Sequence, residues 1–167
     1  MDDSRWPGAP SDTGGPIVRF ADAHDISETI RLAGLMYQAM GLDPSARDWQ
    51  IAAREALQLR LGDDVAVFVV DAPAMPGRLA ACGAASIATR LPGPSNPSAR
   101  FGYLQWVSTD SEWRRQGMAR AVTVALLQWL RERGVRSVEL HATSTGEPLY
   151  RSLGFVEGQN RPLRLRI

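Results

Sequence analysis

Lysine is missing from this chain of 167 residues, and all 19 basic residues are arginine. Biased codon usage is the plain reading of that absence. Its chemical consequence stands regardless: the protein offers no side-chain amine to an acylating reagent, only its N-terminal one. Cysteine is nearly absent too, since Cys82 stands alone. One cysteine excludes an intramolecular disulfide and fits a reducing compartment, and with no Cys or His spacing around it there is no metal motif. Long apolar runs are lacking: none approaches the ~20 residues needed to cross a bilayer. Asp2 and Asp3 stand where a secretory signal would carry basic residues. A formal net charge of +1 leaves no global electrostatic case for a nucleic-acid or membrane partner. These absences describe a soluble cytoplasmic protein.

What is present is enough for one core. With 44% hydrophobic residues, the chain forms one domain rather than two. Residues 1–15 are dominated by Pro, Gly, Ser and Asp without periodicity and read as a flexible tail in which only Trp6 could dock. Residues 16–167 form the domain. Ile17, Val18 and Phe20 predict a short strand. Asp25 or Ser27 caps a helix to about Met40, which Gly41 stops. Ser45 and Asp48 resemble a capping box for a second helix to about Leu61. Val65 to Val70 and Leu79 to Thr89 predict a hairpin through Pro73 to Gly77, although the small residues Ala80, Ala81, Gly83, Ala84 and Ala85 weaken its second strand. Phe101 to Thr109 is a further strand. From Gly117 the apolar positions up to Trp129 and Leu130 give an amphipathic helix ended by Gly134. Ser137 to Ala142 alternates as a strand, Glu147 to Leu153 is a short helix, and Phe155 onwards reads as a last strand. The order β-α-α-β-β-β-α-β-α-β is that of an α/β protein with a mixed central sheet and helices on both faces.

The most informative segment is Trp113-Arg114-Arg115-Gln116-Gly117-Met118-Ala119-Arg120, between a strand and the amphipathic helix. Small residues at 117 and 119 let a ligand approach the turn. Backbone N–H groups at a helix start lack intrahelical acceptors, and with the helix dipole they form a seat for a pyrophosphate. Arg114, Arg115 and Arg120 add charge to the same end.

Three pieces together resemble the GNAT superfamily of acyl-CoA-dependent N-acetyltransferases. Leu104-Gln105-Trp106-Val107-Ser108-Thr109 leads into Arg114-x-x-Gly117-x-Ala119, similar to that family's acetyl-CoA motif. Leu140-His141-Ala142-Thr143 matches the strand that splays from its neighbour. Pro148-Leu149-Tyr150-Arg151-Ser152-Leu153-Gly154-Phe155 resembles the terminal LYxxxGF signature. A lone R-x-x-G-x-A is weak, but helix, strand and Tyr-x-x-x-Gly-Phe in order make the combination specific.

The resemblance implies a bulged strand whose Val107, Ser108 and Thr109 pair with the pantetheine arm of acetyl-CoA. It implies that Arg114, Arg115, Gln116, Gly117, Met118, Ala119 and Arg120 surround the pyrophosphate, and that Tyr150 protonates the departing thiolate. Relatives often carry an Asn near the last helix for the pantetheine; Ser144, Thr145 and Gly146 stand there instead. Packing of the short helix is the competing role for Tyr150. The base is left open between His141, Glu139 and a water chain, with Tyr103 and Gln105 as further pocket candidates. Asp110 and Glu112 read as solvated or paired, Trp106 equally as core or acceptor lining, and Trp129 and Cys82 as core. Arg161, Arg164 and Arg166 read as a solvated strand face. The activity implied is acetyl transfer from acetyl-CoA to a primary amine of a small molecule, without metal, the first two helices and residues 37–49 choosing the acceptor. A peptide or protein N-terminus as acceptor, or a catalytically inactive acyl-CoA sensor, are the alternatives. Relatives often form homodimers.

Overall fold

The computed structural model describes residues 14–158 and 163–166. Most of the expected tail, Trp6 and Arg161 lie outside them. The described residues fall into two compact units, one ending at His141 and the other beginning at Ala142.

The first unit opens with β1 (Arg19–Phe20), a turn of 3-10 helix, and α1 (Ile26–Ala39). The expected cap at Asp25 or Ser27 is built differently. Asp22 accepts the His24 N–H at 2.7 Å while Asp25 accepts the Asp22 N–H at 2.8 Å, so the capping residues precede the 3-10 turn. Arg19 then clamps that corner to the sheet through Asp25 and Asp71.

α2 (Arg47–Arg60) follows, but the box expected at Ser45 does not form. The Ser45 N–H donates to Asp43 Oδ1 at 2.9 Å, and the helix starts after Ala46 without a side-chain cap. An Asx turn has taken the place of the cap.

β2 (Val65–Asp71), β3 (Leu79–Thr89) and β4 (Arg100–Thr109) pair antiparallel in sequence order, and β5 (Ser137–Glu139) joins β4 in parallel. Alternation along β2 sends Val65, Val67 and Val69 to one side, where they meet Ile26, Ile30, Leu32 and Leu57 of the first two helices. Val70, Phe68 and Val107 belong to the other side, beneath α3 (Met118–Glu132). Val122, Leu126 and Leu130, at a four-residue spacing, are fully buried, and each such side chain contributes roughly 1.5–3 kcal/mol.

The bare positions of the sheet explain how close this helix comes. A Cβ on Gly83 would lie 3.0 Å from Leu126, and one on Gly102 would lie 2.8 Å from Leu130. Gly83, one of the small residues that made β3 weak by propensity, is therefore a packing requirement.

β5 is shorter than Ser137 to Ala142, because its pairing with β4 ends at Tyr103 opposite Glu139. Leu140 and His141 have no ladder to join.

The second unit contains α4 (Glu147–Ser152), with Pro148 in its first turn and Gly154 in a left-handed conformation beyond its end. The last strand is not seen: Phe155 to Gly158 and residues 163–166 carry none, and 159–162 and Ile167 lie outside the described residues. Leu163 and Leu165 are exposed. Alternation alone makes no strand where no partner edge receives it.

Candidate active site

β4 carries the first element of the site. Ser108 pairs with Cys82 and Gln105 with Ala84, so Trp106 and Val107 together oppose Gly83. That extra residue is a bulge, and Trp106 absorbs it at φ +55°. A bulky residue holds that conformation only when its surroundings over-determine it. Here the indole Nε1 donates to Tyr37 Oη at 2.9 Å, and the Trp106 carbonyl accepts the Cys82 thiol at 3.3 Å. The indole is half-buried and packs against the core beneath α1 and α2.

Beyond Tyr103, the side of β4 away from β3 has no strand partner among the described residues. That leaves Leu104 to Thr109 without a ladder on this side among the described residues, the arrangement that strand addition uses.

The end of β4 is anchored firmly. The Asp110 N–H donates to the Ala80 carbonyl, and its buried carboxylate accepts Arg31 at 2.8 Å and Arg78 at 3.0 Å. Burial pushes this carboxyl up, but the two arginines outweigh it and hold the group below the usual range. Asp110 is thus paired, and it faces Arg31 and Arg78 rather than the loop arginines.

After a 3-10 turn at Ser111–Trp113, Arg115 at φ +64° and Gly117 at φ +78° reverse the chain into α3. Gly117 is the cap residue and supplies no side chain to the helix start. Ala121 is the first N–H to bond back, to the Gly117 carbonyl at 3.0 Å, so the N–H groups ahead of it have no acceptor within the helix. Met118 and Trp113 are buried and pin this turn to the core, while Arg114, Arg115, Gln116 and Gly117 are exposed. Arg114 is steered by a 3.3 Å bond from its Nε to the Thr109 carbonyl. The expected residues from Val107 to Arg120 are therefore one continuous strand, turn and helix start, with donors toward solvent and hydrophobic anchors beneath.

Several arrangements nearby had no local signal. Tyr103 Oη lies 2.6 Å from His141 Nδ1. Glu139 is held by both Arg90 nitrogens at 3.0 Å, which keeps its carboxyl low. α1, α2 and their loop border an open cleft of about 510 Å³ lined by Ile30, Gly34, Trp49 and Arg54 among others. Trp49 and Gln50 both donate to the Pro44 carbonyl and so fix its loop.

Cys82 is fully buried, and burial pushes its thiol up to about 12. Such a thiol is no nucleophile at neutral pH. Among the described residues no group of His, Cys, Asp and Glu could hold a metal ion, and no helix is long and apolar enough to cross a membrane.

In the second unit Tyr150 is half-buried, edge-on to Phe155 at 5.8 Å between ring centres. Burial raises its phenol above the ordinary range, which keeps the proton on oxygen at neutral pH.

The model of the acetyltransferase (GNAT) family matches residues 34–155. The chain belongs to that family. This GNAT protein is an acyltransferase, and its mixed five-stranded sheet with helices is the family's fold. Solved structures agree. A predicted acetyltransferase from Clostridium acetobutylicum, crystallised with acetyl-CoA, is 22% identical with a TM-score of 0.79, covering 90% of this chain and 95% of its own. A GCN5-related N-acetyltransferase from Ralstonia eutropha JMP134 is 25% identical with a TM-score of 0.76 over 90% and 99% of the two chains. Glucosamine-6-phosphate N-acetyltransferase from Arabidopsis thaliana is 17% identical with a TM-score of 0.69, over 91% and 99%. No protein of curated function matches the sequence.

Proposed function

We propose that this protein transfers the acetyl group of acetyl-CoA to a primary amine of a small molecule by direct attack in a ternary complex. The observation that carries the reading is the continuous surface of an open β4 edge, a bulge and an uncapped helix start. On this reading Val107, Ser108 and Thr109 offer main-chain groups to the pantetheine arm. The backbone from Arg115 to Arg120 receives the pyrophosphate, with Arg114 beside it. The Clostridium neighbour's acetyl-CoA supports the choice of co-substrate.

Transfer needs a neutral amine, a polarised thioester carbonyl and a proton for the leaving sulfur. Tyr150 fits the last task, since a phenol whose ionisation is disfavoured by burial is a donor. Direct attack, rather than an acyl-enzyme, is favoured because the lone thiol is buried and protonated. The open α1–α2 cleft, with Trp49 on its wall, is of a size for a small molecule, which supports an acceptor of that class. A cytoplasmic location and a homodimer complete the proposal, the first supported by the unpaired Cys82.

Calorimetry with acetyl-CoA and thiol release across a primary-amine library test the proposal together. Binding with turnover of at least one small amine is expected. Binding without turnover of any amine would make the protein a sensor, and no binding would remove the reading.

A further inference from the structure

Resting on the acetyl-transfer reading above, we infer that His141 is the base that deprotonates the acceptor ammonium, and that Tyr103 is the positioning residue that fixes its ring. The pairing of β4 with β5 stops at Tyr103 opposite Glu139. From that point β4 continues with an open edge, while β5 has ended. His141 stands two residues beyond the last pair, and the 2.6 Å contact between its Nδ1 and Tyr103 Oη ties it across the place where the two strands part. The rings meet at 5.8 Å between centres and 59° between planes, a tilted contact that restricts the imidazole further.

The carboxylates of Glu139, Asp110 and Glu28 are each engaged. Glu139, the other group on the same short strand face, is clamped by Arg90, and Arg90 itself rests on the Phe101 ring at 4.4 Å. Asp110 serves Arg31 and Arg78, and Glu28 serves Arg31 and the Leu79 N–H. A carboxylate held low by arginine is a weak proton acceptor. The groups facing His141 are Tyr103 and the Arg90–Glu139 pair, so the imidazole sees a phenol and a neutralised ion pair rather than a bare charge.

The contact accommodates either tautomer, and the assignment takes the one in which Nδ1–H is the donor. With the Nδ1–H donated to Tyr103 Oη, the Nε2 lone pair is left for substrate, and no group among the described residues bonds to it. Nε2 takes one proton from R–NH₃⁺, and the resulting amine attacks the thioester carbonyl. A C–N bond forms, the C–S bond breaks, and the sulfur leaves with the bonding pair. Of the two protons that the nitrogen gives up, one passes from exposed His141 to water and the other ends on the CoA sulfur.

The test uses the full chain, acetyl-CoA and the best acceptor from the amine library. His141→Ala should lower kcat at pH 7 by about 10²–10⁴-fold, with the Kd for acetyl-CoA unchanged. The loss should shrink as pH rises toward the amine's own ionisation, and free imidazole should restore turnover. Tyr103→Phe should cost less and move the bend of the pH profile without changing acetyl-CoA binding. An alanine variant that keeps the parent's pH profile, or one that imidazole does not rescue, overturns the assignment while leaving acetyl transfer intact. Should His141→Ala not fold, an unaltered pH profile in Tyr103→Phe overturns it. A parent that binds acetyl-CoA but acetylates no amine refutes the enzymatic reading itself, and the base with it.

Discussion

Replacing Gly117 by Glu and, separately, by Gln isolates the electrostatics of the proposed pyrophosphate seat. Gly117 sits at φ +78°, and a Cβ there would meet no atom of the chain within 4 Å. Neither side chain clashes, so both variants suffer only the left-handed strain, about 1–2 kcal/mol. With a urea m-value of about 2 kcal/mol/M, both midpoints should fall by roughly 0.5–1 M and coincide. The two differ in charge alone. A carboxylate about 6 Å from a phosphate charge is repelled by about 3 kcal/mol at an effective dielectric constant of about 20. Solvent exposure of this turn and salt reduce that to about 1–2 kcal/mol. Calorimetry should therefore find acetyl-CoA binding to the Glu variant roughly five- to thirtyfold weaker than to the Gln variant, the gap narrowing as salt is added. Equal affinities for Glu and Gln would mean that no anionic part of the ligand comes near this helix start.

Tyr150→Phe keeps the edge-on contact with Phe155 but loses the proton, so kcat should fall about 10²-fold or more while acetyl-CoA affinity holds; equal turnover would leave Tyr150 a packing residue. Gly102→Ala forces a methyl to within 2.8 Å of fully buried Leu130 and should cost about 1–3 kcal/mol in urea melts, less in a background of Leu130→Val; a neutral result would show that α3 can shift. Asp110, whose folded carboxyl titrates below its unfolded value, contributes its stability above about pH 4 and loses it as pH falls through the folded value. Asp110→Asn should cost about 2 kcal/mol at pH 7 and less as the pH falls below about 4, and a loss independent of pH would contradict the pairing.

Local signals carried most of the fold. The spacing of Val122, Leu126 and Leu130 with Gly134 behind them marked α3, and the β-branched run from Val65 marked β2. Both are short-range properties that burial then reinforced. Caps were less legible because Ser45 and Asp43 compete for the same backbone, and proximity in sequence does not say which donor wins. The last strand failed for a different reason: its alternation names a face, and a face needs a partner that residues 163–166 do not have. The proposed cofactor seat from Val107 to Arg120 was readable because its residues are contiguous in the chain. Tyr103 and His141 are 38 positions apart, and Arg31 and Asp110 are 79 apart. Such pairs exist only after the sheet has been assembled. Nothing about a tryptophan announces a positive φ, so the bulge came into the sequence reading only through the family resemblance.

The single sulfhydryl of this protein lies in the middle of the sheet, donating to the residue that carries the bulge. While the molecule is closed it is silent toward disulfide reagents, so a colorimetric signal from released coenzyme reports product alone. Once β3 and β4 part, the same atom becomes reactive. Its modification rate is thus a native gauge of how often that seam opens, and of how much a bound ligand holds it shut.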